Sequence, residues 1–231
     1  NAGETVEFNS KCLPLLFHHH YDDISFLENS NKLVIPKNIL YELSPYDNLI
    51  YPLNFKINNK NIIFSVYEFS EDVDQVFIPQ EHFKKLDIAY EEPVNLTLIN
   101  KEIVKGKKIK IQPHTKNFLD LENPKEYLEE HLTKLYSCLS LNQTFSLPYF
   151  DISIYFNVLE CYPTETISLI DTDIEVDFDK PLDYVEPPKP LPKPEPLSQQ
   201  NNYSAGNLNF RKINELNKNN ESSKNNESSK N

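Results

Sequence analysis

Tyr51-Pro-Leu-Asn-Phe-Lys-Ile57, Asn58-Asn59-Lys60-Asn61, Ile62-Ile-Phe-Ser-Val-Tyr-Glu-Phe69: two runs rich in β-branched and aromatic residues flank a turn of residues that tolerate positive φ. This pattern predicts a β-hairpin. The same pattern recurs on both sides of it. Upstream, Phe8–Phe17 and Lys32–Ile35 read as strands, with His18-His19-His20 leading into a polar loop over 21–31. Downstream, Val73–Ile78 is a strand, and Val94–Ile99 with Ile103–Ile111 reads as a pair joined around Asn100-Lys101-Glu102. Pro36 and Pro79 each open a short helix, the first burying Ile39, Leu40 and Leu43 and the second Phe83 and Leu86. Short strands recurring about every ten residues, with two short helices, predict a compact barrel.

The next block changes character. Asn123-Pro124 is a helix cap followed by proline in the first turn, and Leu128, Leu132, Leu135 and Leu139 recur at helical spacing. The helix is expected to pack on a sheet of Phe145–Leu147, Ile152–Leu159, Ile167–Ile170 and Ile174–Phe178. The class is therefore β-rich α+β. At Glu186 the composition breaks. Six prolines lie between Pro187 and Pro196, and beyond Ser198 the chain is rich in Asn, Ser and Lys. An extended spacer and a disordered tail are expected there.

Charge divides along the same boundary. The net charge of −12 splits into −15 over residues 1–186 and +3 beyond, because 16 of the 23 Lys and Arg and 31 of the 35 Asp and Glu lie in the first part. An acidic folded region repels phosphate backbones, so nucleic acid is not expected as a ligand. Cys12, Cys138 and Cys161 are far apart and odd in number, which predicts free thiols. No run of 18 apolar residues occurs, so no transmembrane helix is expected. The chain opens on Asn1 rather than Met, so its native start, with any targeting segment, is expected upstream.

Chemistry-bearing patterns are few. His18–His20 are consecutive and do not share one face of a strand or helix, so a solvated loop is the reading rather than a metal site. Asp171, Asp173, Glu175, Asp177 and Asp179 alternate with mostly apolar residues, which puts five carboxylates on one strand face. That face could serve a carboxylate-based hydrolase or dock a basic partner. A solvent face over a core face is the favoured reading, because such alternation arises in any half-buried strand without a site. Only three glycines occur in the chain, and phosphate-cradling loops need glycine, so a nucleotide enzyme is not expected. Cys138, near the leucine stripe, reads as a packed thiol.

Three stretches resemble the ubiquitin fusion degradation protein 1 family. Pro113-His-Thr-Lys-Asn-Phe118-Leu119-Asp120-Leu-Glu-Asn123-Pro124-Lys125 is similar to the family's P-x-S-x-D-F-L-D-x-x-N-P-K run, and Leu128-Glu129 continues it into the leucine helix. Val176-Asp177-Phe178-Asp179-Lys180-Pro181-Leu182-Asp183-Tyr184-Val185-Glu186-Pro187 is similar to V-D-F-x-x-P-x-G-Y-x-E-P. Earlier, Leu33-Val34-Ile35-Pro36, Ile50-Tyr51-Pro52-Leu53 and Val76-Phe77-Ile78-Pro79 keep the family's order. Asn142-Gln143 and Asp183 stand where the family has turn glycines, and both are expected to take positive φ.

The resemblance implies a double-psi β-barrel over 8–109, a small α/β roll over 110–186, and a spacer and tail over 187–231. It also implies a non-catalytic adaptor without a cofactor or metal. Such an adaptor binds ubiquitin chains and works with the AAA+ unfoldase valosin-containing protein and with nuclear protein localisation protein 4. In the tail, Tyr203-Ser-Ala-Gly206-Asn-Leu208-Asn-Phe210-Arg211-Lys-Ile213 resembles the first half of the family's Y-A-G-x-L-x-F-R-x-F box, without the glycines that follow. Tyr203, Leu208, Phe210, Arg211 and Ile213 are therefore the expected partner contacts, held clear of the fold by the proline spacer. The rival expectations are the Asp171–Asp179 hydrolase and a peptide-binding, chaperone-like module. The family's setting implies the cytoplasm, with recruitment to the endoplasmic reticulum surface or nucleus, or a relocated copy in an algal-derived plastid.

Overall fold

A computed structural model of the chain describes residues 5–186. Six strands close a barrel: β1 (Glu7–Pro14), β2 (Lys32–Pro36), β3 (Asn54–Ile57), β4 (Ile63–Ser70), β5 (Val76–Ile78) and β6 (Pro93–Leu98), in the order β1-β5-β2-β4-β3-β6. The pairing has a hidden two-fold symmetry. β1 runs parallel to β5 and β4 parallel to β2, while β1–β6, β4–β3, β2–β5 and β3–β6 are antiparallel. Exchanging β1, β2 and β3 for β4, β5 and β6 leaves this set unchanged, which is the double-psi arrangement. The sequence carries the same echo. Leu33-Val34-Ile35-Pro36 answers Val76-Phe77-Ile78-Pro79, and Pro52-Leu53-Asn54-Phe55 answers Pro93-Val94-Asn95-Leu96.

Both prolines of the first echo sit one residue earlier than expected. Pro36 and Pro79 are extended caps, with ψ 140 in each, ahead of the helices at Lys37–Leu43 and Gln80–Leu86. Their fixed φ ends the strand and starts the helix in one step. Counting the single turn at Tyr21–Ile24 as α1, these are α2 and α3. The first strand stops at Pro14, short of Phe17, and Leu15–Phe17 form a 3₁₀ turn instead. Leu33, Ile35, Phe55, Ile57, Phe64, Val76, Ile78 and Leu96 fill the barrel with no exposure. Asn58 and Asn59 take φ 48 and 53 in the β3–β4 turn, as the hairpin reading requires.

The pairing expected between Val94–Ile99 and Ile103–Ile111 does not form. β6 already bonds β1 on one side and β3 on the other, so it has no free edge. Asn100 instead accepts the Ile50 N–H at 2.9 Å. The chain crosses to a second sheet, where β7 (Lys108–Pro113) is flanked by β10 and β12. That sheet has the order β12-β7-β10-β9, with β9 at Thr144–Tyr149, β10 at Ile152–Tyr162 and β12 at Glu175–Phe178.

The long helix α4 (Pro124–Leu135) buries Leu128, Leu132 and Leu135 against this sheet. Asn123 caps it by accepting the Glu126 N–H at 3.3 Å, and the Glu126 carboxylate accepts from the Asn123 side chain at 2.9 Å. Leu139 is not part of the helical stripe. The backbone turns extended at Tyr136, and β8 (Cys138–Ser140) carries Leu139 and Cys138 into a two-stranded ribbon with β11 (Thr166–Ser168). Residues 167–170 therefore leave the main sheet. The buried Tyr136 hydroxyl donates to the Ser146 carbonyl and accepts the Ser146 N–H, blunting the outer edge of β9.

The barrel meets the second sheet through polar groups. The Asn29 side chain accepts from the hydroxyls of Ser146 and Ser153, each at 2.8 Å, and the Ser65 hydroxyl contacts that of Ser137. Asn31 is wholly buried and donates to the Ile63 carbonyl at 2.9 Å.

Candidate docking surface

Five carboxylates were expected along one strand face; two, Glu175 and Asp177, are on it, and Asp179 follows directly after its end. Only Glu175–Phe178 is strand, and Asp171 occupies a left-handed turn at φ 47. β12 runs parallel to β7, which sets lysines opposite the carboxylates. Lys108 pairs with Asp177 at 2.6 Å and Glu175 at 3.6 Å, and Lys110 with Asp179 at 3.5 Å. Asp179 is held below the usual carboxylate range, first by the Lys180 N–H and then by Lys110. Lys108 is pushed up by its bonds to Asp177. The ladder is a solvent face with its charge largely answered, and water and salt screen such exposed pairs.

His18 departs from the expected solvated loop. It is buried with its ring edge against Phe77 at 5.0 Å and stacked on His19 at 4.5 Å, and its Nδ1 accepts the His20 N–H. Burial holds its pKa below the ordinary histidine value. His19 and His20 are exposed. Among the described residues no three His, Cys, Asp or Glu side chains converge as metal ligands would.

The three thiols are free, as the cysteine count predicted. Burial pushes Cys12 and Cys138 up to about 12 and Cys161 up to about 11, so none is a ready nucleophile. A cleft of about 220 Å³ opens where the barrel meets the second sheet. Its polar lining includes Lys101, Lys105, Glu102 and Asp171, and no His or Cys. Lys105 donates to the Asp171 carbonyl at 3.0 Å, so one of its cations is already engaged.

Asp183 does not take the positive φ expected of it. It accepts the Lys116 N–H through its carboxylate at 2.7 Å, and a side-chain bond thus pins the turn that glycine would relax. Asn142 does take positive φ, at 64. The tail residues Tyr203, Leu208, Phe210, Arg211 and Ile213 lie outside the described residues.

The surface is notable for its aromatics. Phe17 meets Tyr90 edge to face at 5.7 Å beside exposed Leu16, and Phe26 meets Tyr67 in the same way. Phe150, at the β9–β10 turn, is 89% exposed. No local sequence pattern marks these side chains as a group. Phe150 was legible as an aromatic in the turn between two predicted strands; the others are brought together only by the fold.

Comparison with known proteins bears on the same region. Residues 105–181 match the family model described as "Ubiquitin fusion degradation protein UFD1, N-terminal subdomain 2". The chain is 33% identical over 155 residues to "Ubiquitin fusion degradation protein 1 homolog" of Dictyostelium discoideum, covering 65% of this chain and 46% of that protein. It is 32% identical over 162 residues to the Homo sapiens "Ubiquitin recognition factor in ER-associated degradation protein 1", covering 68% and 51%. It is 28% identical over 188 residues to "Ubiquitin fusion degradation protein 1" of Saccharomyces cerevisiae, covering 77% and 50%. The chain thus spans about half the length of the curated relatives it matches. With the double-psi barrel, the capped Asn123-Pro124 helix and these matches together, the chain belongs to the ubiquitin fusion degradation protein 1 family.

Proposed function

We propose that the chain is a non-catalytic adaptor that recognises ubiquitin chains on a client protein. It hands the client to an AAA+ unfoldase of the valosin-containing-protein type, together with a homologue of nuclear protein localisation protein 4, for extraction and degradation or translocation. One observation carries the reading: a relative named as a ubiquitin recognition factor aligns over 162 residues, 68% of this chain. Recognition is assigned to the barrel and roll, 8–109 and 110–186, and partner docking to Tyr203–Ile213 beyond the proline spacer. The chemistry of the described residues favours this over the hydrolase. Glu175, Asp177 and Asp179 are tied to lysines, and the buried thiols are protonated at neutral pH. The setting that fits is the cytoplasm, with recruitment to the endoplasmic reticulum surface or nucleus; a plastid copy would show itself by location of the tagged full-length protein. The test is binding of the purified chain to ubiquitin chains and to the unfoldase. Binding to both is expected, and binding to neither at micromolar concentration overturns the adaptor.

A further inference from the structure

Phe150 is the most exposed large apolar side chain among the described residues, and it sits at φ 50. Both properties are unfavourable on their own terms. A bulky side chain seldom occupies left-handed backbone, where Asn or Gly is far better tolerated. Among the described residues the other such positions hold Asn48, Asn58, Asn59, Asn142, Asp87 and Asp171, with Glu91 beside them, so Phe150 is the one apolar side chain in the set. At this tip the chain keeps a phenylalanine that buries almost nothing within the fold. Backbone strain held at a surface point whose side chain is almost wholly exposed points to a site shaped by something outside the chain.

The tip is braced rather than loose. The Tyr127 hydroxyl of α4 donates to the Pro148 carbonyl at 2.8 Å, and the Tyr127 ring meets Tyr149 edge to face at 5.9 Å. Tyr149 in turn meets the Phe150 ring at 4.8 Å. Ile152, 53% exposed, extends the apolar area along β10. A pre-placed aromatic loses little freedom on docking, which makes it the kind of side chain that dominates protein interfaces.

Charge narrows the partner. Asp151 shares the turn with Phe150, and Glu126 lies next to Tyr127 at the start of α4. Among the described residues neither carboxylate has a Lys or Arg ion pair, whereas the nearby Glu129 and Glu130 pair with Lys125 and Lys134. The tip is thus apolar with the Asp151 carboxylate beside it, on a chain of net charge −12. An anionic membrane repels such a surface, and a cation-rimmed apolar pocket attracts it.

We propose that the Phe150 tip is an aromatic anchor that inserts into a shallow, cation-rimmed apolar pocket on a protein partner. Resting on the ubiquitin-recognition reading, that partner is ubiquitin.

The test titrates monoubiquitin and ubiquitin chains into the full chain by calorimetry, with Phe150→Gly, Phe150→Ala and Phe150→Trp alongside. Phe150→Gly and Phe150→Ala are expected to weaken binding at least tenfold, and Phe150→Trp to retain it. Phe150→Gly is also expected to raise the thermal midpoint, because glycine relieves the positive φ. Lower affinity with higher stability is a combination that loss of folding cannot produce. If the native chain binds ubiquitin and all three variants bind within twofold of it, the anchor is overturned and the ubiquitin reading stands. If the native chain does not bind at all, both fall. Vesicles of phosphatidylcholine with phosphatidylserine form the other arm: binding by the native chain that Phe150→Gly abolishes would make the tip a lipid anchor and overturn the protein partner.

Discussion

At the residue scale, His82 sets how the fold responds to acid. It lies on α3 with its ring against Phe64 at 4.8 Å, and its Nε2–H donates to the Ser30 carbonyl at 2.9 Å. Burial first, and Lys85 second, push its pKa down to about 3, so the ring is neutral in the native state and forms no ion pair with Glu81. The unfolded chain protonates the same ring at its ordinary 6.5, so unfolding takes up a proton between about pH 6.5 and about 3. Stability from this group is complete above that window and falls as pH drops through it. By pH 4.5 the loss is on the order of 2–3 kcal/mol. Urea unfolding at pH 7 and pH 4.5 should show it, and His82→Gln, which keeps a donor for Ser30 but does not titrate, should shrink the difference. Equal pH dependence in both proteins would contradict this account. Gly106 is a second single-residue constraint. A Cβ there would lie 2.8 Å from Cδ1 of both Ile167 and Ile174, so Gly106→Ala should lower stability by about 1–3 kcal/mol in the same assay. Neither role was legible in the sequence. His82 shows no pattern that separates it from a surface histidine, and the crowding at Gly106 comes from residues far along the chain.

At the element scale, what could be read depended on how local the cause was. The α4 start was legible because Asn123, Pro124 and Glu126 supply the whole cap within one turn. Asn123→Ala should accordingly cost about 1 kcal/mol, seen as a lower thermal midpoint. The β3–β4 turn was legible for the same reason, since Asn58 and Asn59 carry the positive φ themselves. The missing β6–β7 hairpin was not, because what forbids it is occupancy of both β6 edges by strands distant in sequence. Leu139 continued the helical spacing but lies on β8, where tertiary pairing with β11 prevailed over periodicity. The acidic face was half legible. Alternation gave the face, but only the parallel β7–β12 register brought Lys108 and Lys110 opposite it. Lys108→Ala should leave the thermal midpoint almost unchanged at physiological salt and shift it more at low salt, which melting at two ionic strengths would show.

At the scale of the whole molecule, the barrel is built from two similar halves, and that symmetry is written in the sequence as two echoes, around Pro36 and Pro79 and around Asn54 and Asn95. The polar seam of Asn29, Asn31, Ser65, Ser137 and Ser146, which Asn31 joins through its N–H to the Leu135 carbonyl, was not legible, since each residue reads alone as an ordinary turn or strand position. The proposed function assigns recognition to the barrel and roll and partner docking to Tyr203–Ile213, which lies outside the described residues. The most direct measurement is titration of ubiquitin chains and, separately, the unfoldase into the full chain and into the chain truncated after Pro196. The account predicts equal ubiquitin affinity for the two and loss of unfoldase binding on truncation. Absence of ubiquitin binding in the full chain at micromolar concentration, or its loss on truncation, would contradict it.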